Sequence, residues 1–335
     1  MTNLEVVVTE HDCAPGGAAS GTASGTELLE PRDVPLGGIR AMSVRRTLPQ
    51  RARSFIGAWC FLDHYGPDDV AATGGMRVPP HPHTGLQTVS WLFSGEIEHR
   101  DSLGTHCLVR PGELNLMTAG HGISHSEDST DATTVLHGVQ LWTVLPERDR
   151  EVDPAFDHYV PPVTALDGGE ARVFLGTLAG STSPVPTFSP LVGAEVRLRP
   201  GAAHTFAVDP AFEHGVLVDA GGVEVDGTPA PRHHLLYRAP GATELTLRAT
   251  GDHELRAVLI GGLPLGERIV MWWNFIGRDH EEVLAARSQW QAEIASPDGG
   301  GPPFGRVGGH PHPPPPAPPI PPPRPRPRRW PATSP

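Results

Sequence analysis

Two short segments of this chain place metal-ligating side chains at strand spacing. His81 and His83 lie two residues apart in VPPHPHTG, and His125 and Glu127 lie two apart in GHGISHSE. In a β-strand, residues i and i+2 point to the same face, so each pair presents its two groups side by side. If the two segments face one another across a small barrel, the interior gains three neutral imidazole nitrogens and one carboxylate. That set suits a divalent first-row metal, iron(II) first, with manganese, nickel or copper as alternatives. It also leaves coordination positions open for water, substrate or O2. The remaining histidines of the 18 fit the pattern less well. His310-Pro311-His312 repeats the tripeptide HPH with no strand, glycine turn or second pair around it, and reads as a chance repeat. His233 and His234 are adjacent and would point to opposite faces of a strand. His99 and His106 flank a Ser-Leu-Gly turn and read as surface or supporting groups. His121, four residues before His125, stands near the site but off the i, i+2 ladder.

The elements that must position these residues are strands. TVSWLF (88–93), CLVR (107–110), LNLMTA (114–119) and VLHGVQLWTVL (135–145) are apolar or alternating runs. EVRLR (195–199), GVLVDA (215–220), TELTLR (243–248) and LRAVLIG (255–261) continue the series beyond a break at Pro161-Pro162 and Asp167-Gly168-Gly169. SGE, RPGE, RPGA, DAGG and VDGT supply turn chemistry between them. Short strands at intervals of about ten residues with such turns predict sandwiches or barrels, here an all-β chain in two halves. RPGE (110–113) and RPGA (199–202) mark a faint internal repeat. One helix is predicted over Asp279–Ser296, with Asp279 as N-cap and Val283, Ala286, Trp290 and Ile294 on one face. The expected divisions are a flexible arm (1–30), a metal-binding domain (31–155), a second β domain with the helix (156–296), and a tail (297–335). The tail is Pro/Arg-rich, prone to polyproline II and expected to be largely disordered.

Composition narrows the function classes. Of 335 residues, 39 are Gly and 39 are Pro, too many for a helical bundle. Seventeen of the prolines fall from Pro297 onward, leaving a body with ordinary proline and high glycine. All 26 basic residues are arginine; the net charge is −12, the tail is +4, and the body therefore carries −16. So acidic a surface repels phosphate backbones, which excludes direct nucleic-acid binding. Three widely spaced cysteines, Cys13, Cys60 and Cys107, argue against a disulfide framework and for a reducing compartment. No signal-peptide pattern and no run of about 18 apolar residues is present, so no membrane association is expected, and a cytoplasmic location is.

HPHTGLQTVSWLFSGEIEHRDSLGT (81–105) followed by RPGELNLMTAGHGISHSE (110–127) resembles the metal-binding half of the pirins, a branch of the cupin superfamily. RDVPLGGIRAMSVRRTLP (32–49), FIGAWCFLDHYGP (55–67), FSPLVGAEVRL (188–198) and GLPLGERIVMWWNFIGRDHEEVLAARSQW (262–290) extend the likeness over roughly residues 30–296. The resemblance implies a bicupin, two jelly-roll barrels in tandem with only the first metallated. It also implies His81, His83, His125 and Glu127 as ligands to iron or a substitute, the same four that strand parity selects. Gln87 stands where many relatives carry glutamate, and His121 where arginine is usual, so both are expected to alter the cavity. MWWNF (271–275) is read as core packing ahead of the helix rather than a ligand-stacking box. The activity implied is metal-dependent dioxygenation of a quercetin-type flavonol, with Glu127 also accepting the hydroxyl proton of a small aromatic or enolic substrate. The alternative is a metal- or redox-responsive regulatory protein that binds a transcription factor or metabolic enzyme.

Overall fold

In a computed structural model, which describes residues 10–13, 25–36, 42–296 and 301–320, the two halves repeat one architecture. The first pairs a seven-stranded sheet with a four-stranded one. In spatial order the larger sheet runs Ala155–Tyr159, Leu114–Thr118, Leu86–Ser94, Val135–Val144, Trp59–Asp69, Met42–Leu48 and Arg32–Leu36. The smaller runs Arg77–His83, Ile123–Ser129, Ile97–Asp101 and His106–Val109. The second half again has seven and four strands, the larger sheet built around Leu191–Leu198, Leu255–Gly262 and Glu213–Ala220. The alternating runs predict an all-β chain in two halves, and the tandem barrels are those that the resemblance implies.

The interiors differ in chemistry. The second barrel is filled by aliphatic residues such as Val173, Val196, Val216, Leu247 and Leu259, with Phe206 among them. In the first barrel two apolar groups, one around Phe61, Met117 and Trp142 and one around Tyr65, Leu92 and Ile97, leave polar side chains buried as well. A further apolar layer, including Trp59, Val89, Trp91, Phe174, Leu217 and Ile260, joins residues of both halves. Polar anchors cross the same junction: Trp91 Nε1 donates to Glu195 at 2.8 Å, and Gly57 N donates to Glu213 at 2.6 Å.

The helix forms as its sequence predicts. It spans His280–Ala295, the Asp279 carboxylate accepts from Glu282 N at 2.9 Å, and Val283 and Trp290 are buried. The side-chain oxygen satisfies an amide that the first turn leaves without an intrahelical partner. Trp272, Trp273 and Phe275 pack in the apolar group beneath this helix, as core aromatics.

Three expected divisions are corrected. The arm is not simply flexible: His11–Cys13 pairs with the strand Ile269–Trp272, and Thr26–Leu29 pairs with Leu235–Arg238 of the second barrel. Residues 14–24 lie outside the described residues. The first domain extends beyond residue 155, because the strand Ala155–Tyr159 pairs with Leu114–Thr118. The tail, described over 301–320, is packed rather than disordered. Phe304 is fully buried against Trp290 and Phe275. A polyproline segment makes no internal hydrogen bonds, so its carbonyls take donors from elsewhere. Trp290 Nε1 reaches Pro315 O at 3.0 Å and Arg287 Nε reaches Pro318 O at 2.6 Å.

Candidate metal centre

The edge strand Arg77–His83 carries the first pair. Pro79, Pro80 and Pro82 cannot donate to a ladder, and an edge position tolerates that. Its register against Ile123–Ser129 shifts between His125 and Glu127, opposite the two consecutive prolines. His125 lies opposite His81 on one side and Asp101 on the other, while Glu127 lies opposite His99. Three adjacent strands therefore bring His81, His83, His99, Asp101, His125 and Glu127 to one interior face, all of them buried.

Ligand atoms of His81, His83 and His125 lie within 4.8 Å of one another, and so do those of His99, His125 and Glu127. The Nε2 atoms of His83 and His125 are 3.1 Å apart. His81 Nδ1 donates to Pro79 O at 2.9 Å, and His83 Nδ1 to Asn274 O at 3.2 Å. A carbonyl only accepts, so both rings carry their hydrogen on Nδ1 and turn a lone pair inward at Nε2. His81 Nε2 is buried with no hydrogen-bond partner among the described residues. A buried nitrogen lone pair beside two further imidazoles is what a metal would satisfy. Burial pushes all three histidines well below their usual range, and neighbouring imidazoles add to the shift at His81 and His125. The rings are thus neutral, as ligation requires.

Glu127 is held by the opposite sheet. Ser90 Oγ lies 3.2 Å from Glu127 Oε1 and 2.9 Å from the Gln140 side-chain oxygen, while the Gln140 nitrogen is buried without a partner. A hydroxyl has one proton to give. Turning the Gln140 amide end for end lets its nitrogen donate to Ser90, leaving that proton for Glu127. Phe61 and Trp142 stack at 4.0 Å, and the edge of Trp142 meets His83 at 5.2 Å, an apolar wall beside the imidazoles.

Three sequence assignments are revised and a fourth is narrowed. Gln87 faces away from Glu127: it donates to Thr118 at 2.9 Å and accepts from Thr143 at 3.2 Å. Its parity is that of Val89 and Trp91, which pack toward the second barrel, whereas Ser90 has the parity that meets Glu127. His121 lies at the surface, paired with the exposed Asp153 at 3.4 Å. His99, read as a surface or supporting group, is buried and takes the supporting place, bonding both His125 and Asp101. His310, expected to be a chance repeat, meets Asp128 at 3.1 Å and clips the tail to the back of the strand Ile123–Ser129. His106 is at the surface as expected, 2.6 Å from Glu98. Asn274, Asp101, Ser90 and Gln140 were not foreseen. For Asp101 the signal was present, since Ile97, His99 and Asp101 are buried alternately in their strand.

A second buried group joins the barrels. His64 Nε2 and His137 Nε2 both meet Asp219 Oδ1, at 2.7 and 2.6 Å, and Arg256 Nε donates to Oδ2 at 2.5 Å. Arg256 also approaches His137 Nδ1 at 3.3 Å. Arginine only donates, so that Nδ1 accepts and the ring hydrogen sits on Nε2, which has no lone pair for a metal. The group reads as a hydrogen-bonded latch.

Comparison with known proteins agrees with the tandem fold. The family model described as Pirin matches residues 40–143, and that of the Pirin C-terminal cupin domain matches 193–294. A Pseudomonas aeruginosa protein named "Putative quercetin 2,3-dioxygenase" is 42% identical over 261 residues, 78% of this chain and 82% of that protein. A pirin-like protein of Caulobacter vibrioides is 37% identical over 74% of this chain and 88% of its own. The crystal structure of a quercetin 2,3-dioxygenase from Acinetobacter baumannii superposes with a TM-score of 0.81 at 36% identity, covering 88% of this chain and 96% of that one.

Proposed function

The chain belongs to the pirin family, and we propose that its first barrel binds a divalent metal through His81, His83, His125 and Glu127 and dioxygenates a quercetin-type flavonol. The observation that carries the reading is the trio of buried, neutral imidazoles whose ligand atoms lie within 4.8 Å of one another, one of them, His125, grouped in turn with His99 and the Glu127 carboxylate. Iron(II) is the first choice, with manganese, nickel and copper suited to the same donors. Bound there, the metal supplies Lewis acidity and electron exchange with O2.

The chain's own residues do the rest. Pro79 O and Asn274 O hold two rings in the tautomer that ligates. The Ser90 hydroxyl secures Glu127 Oε1, and Oε2 accepts the proton of the flavonol hydroxyl. Phe61, Met117 and Trp142 keep water from the reacting ring. The resemblance to proteins named as quercetin 2,3-dioxygenases supports the substrate class.

The test is O2 uptake and loss of flavonol absorbance with quercetin, on protein loaded separately with each of the four metals. We expect one metal per chain and metal-dependent turnover, both abolished by His83→Ala. A fully loaded protein inert toward a panel of flavonols overturns the assignment.

A further inference from the structure

We propose that Asp101 and His99 are positioning residues for His125, a relay that decides which of its ring nitrogens faces the metal. The inference rests on the metal-binding reading above. His125 Nδ1 lies 3.4 Å from His99 Nδ1, and His99 Nε2 lies 3.2 Å from Asp101 Oδ2. Donor and acceptor roles follow from the far end. An ionised carboxylate only accepts, so His99 carries its hydrogen on Nε2. A neutral ring then offers a lone pair at Nδ1. His125 must therefore place its own hydrogen on Nδ1 and its lone pair on Nε2, the atom that faces His83.

The relay is rigid at both ends. Asp101 Oδ1 accepts from Leu103 N at 2.9 Å and Thr105 N at 3.0 Å, so the SLG turn pins the carboxylate. The His99 ring packs on Phe156, with centroids 4.7 Å apart. His81 and His83 take their tautomers from backbone carbonyls, which side-chain substitution does not delete. His125 takes its tautomer from side chains. Asp101→Asn keeps the size of the group and the Oδ1 acceptor but turns an N–H toward His99 Nε2. The His99 hydrogen then moves to Nδ1 and confronts the hydrogen on His125, as in other hydrogen-bonded pairs where carboxylate is replaced by amide.

The experiment measures zinc affinity by chelator competition for the wild type, Asp101→Asn and His99→Phe, with histidine-selective 15N NMR of each protein with and without zinc. Outer-shell substitutions of this kind weaken metal binding by about 10- to 100-fold. We expect that loss in both variants, with one zinc per chain at saturation. The wild type should show His99 protonated on Nε2 and His125 on Nδ1, and Asp101→Asn should reverse His99. Asp101→Asn affinity within twofold of the wild type overturns the relay. So does the loss of one coordinating imidazole in the X-ray absorption spectrum of His99→Phe, which would make His99 a ligand. A wild type that takes up no zinc refutes the metal centre, and the tautomers of that metal-free protein still decide the relay.

Discussion

Asp219→Ala should loosen the two barrels from each other without touching the proposed metal ligands. Asp219 is fully buried and receives His64 at 2.7 Å, His137 at 2.6 Å and Arg256 at 2.5 Å. Burial alone would raise its carboxyl; the hydrogen bonds from His137 and His64 instead hold it well below the usual carboxylate range. Removing one partner of a buried ion pair costs about 3–5 kcal/mol, because the other charge stays behind without compensation. Here Arg256 retains 20% of its side-chain surface in solvent, which favours the lower end, about 3 kcal/mol. With an unfolding entropy of about 2.1 cal/mol/K per residue over 335 residues, each kcal/mol moves the Tm by about 1.4 °C, so calorimetry should find it lower by about 4 °C. Asp219→Asn keeps an acceptor oxygen for the imidazoles but removes the same charge and turns an N–H toward Arg256 Nε, so it should recover little of that loss. Stability within about 1 kcal/mol of the wild type after Asp219→Ala would refute the latch. Loss of a second metal equivalent would refute it too, since it would turn the cluster into a metal site.

Acid should destabilise the metal-free protein. Burial lowers His214 to about 4 from 6.5, and lowers His64, His81, His83 and His125 as well. Their folded pKa values lie below the unfolded ones, so the unfolded chain binds more protons in between. Stability is therefore complete above about pH 6.5 and falls as the pH drops toward 4, with His214 alone worth on the order of 2 kcal/mol. Urea midpoints at pH 7.5 and 4.5 check the sign; an unchanged or higher midpoint in acid contradicts it. Phe304→Ala removes the ring that fixes the tail between Trp290 and Phe275, a loss of about 3–5 kcal/mol confined to that docking. Limited proteolysis should then cut within 301–320 while the main unfolding transition stays put, and unchanged protection counts against the packed tail.

Strand parity alone groups the four proposed ligands. The HxH and HxE spacings select His81, His83, His125 and Glu127, and the structure turns all four to one face. Parity also puts His99 and Asp101 on one face of their strand, which decides between the surface and supporting readings of His99. For Gln87 motif position and parity disagree, and parity is right: it assigns Gln87 to the face of Val89 and Trp91. The latch could not be read at all: His64, His137 and Asp219 come from three strands in two halves, and no local pattern records their meeting. The packing of the tail over 301–320 is hidden from sequence for a related reason. Its prolines cannot form a core alone, and the donors that order it, Arg287 and Trp290, belong to a helix about thirty residues away.

The second half, without an HxH of its own, still braces the proposed metal centre, and one glycine exposes the dependence. Asn274 O holds His83 Nδ1, and Ile276 N donates to Thr84 O at 3.1 Å, so residues 274–276 brace the end of the ligand strand. Gly85 permits that approach. Its φ is +71°, and a Cβ there would lie 2.5 Å from Ile276 O. Gly85→Ala must push the brace away, which costs His83 its carbonyl partner although no ligand changes. Loss of such a partner predicts metal affinity about tenfold or more below the wild type. Gly201→Ala is the control, since its φ is +76° but nothing lies within 4 Å of the added methyl. It carries the same left-handed backbone penalty, of about 1–2 kcal/mol, without the collision. If chelator competition finds the two variants binding metal equally, the brace does not set the centre. If only Gly85→Ala binds weakly, the second half is part of the metal site in the physical sense, through a carbonyl that no side-chain motif could have revealed.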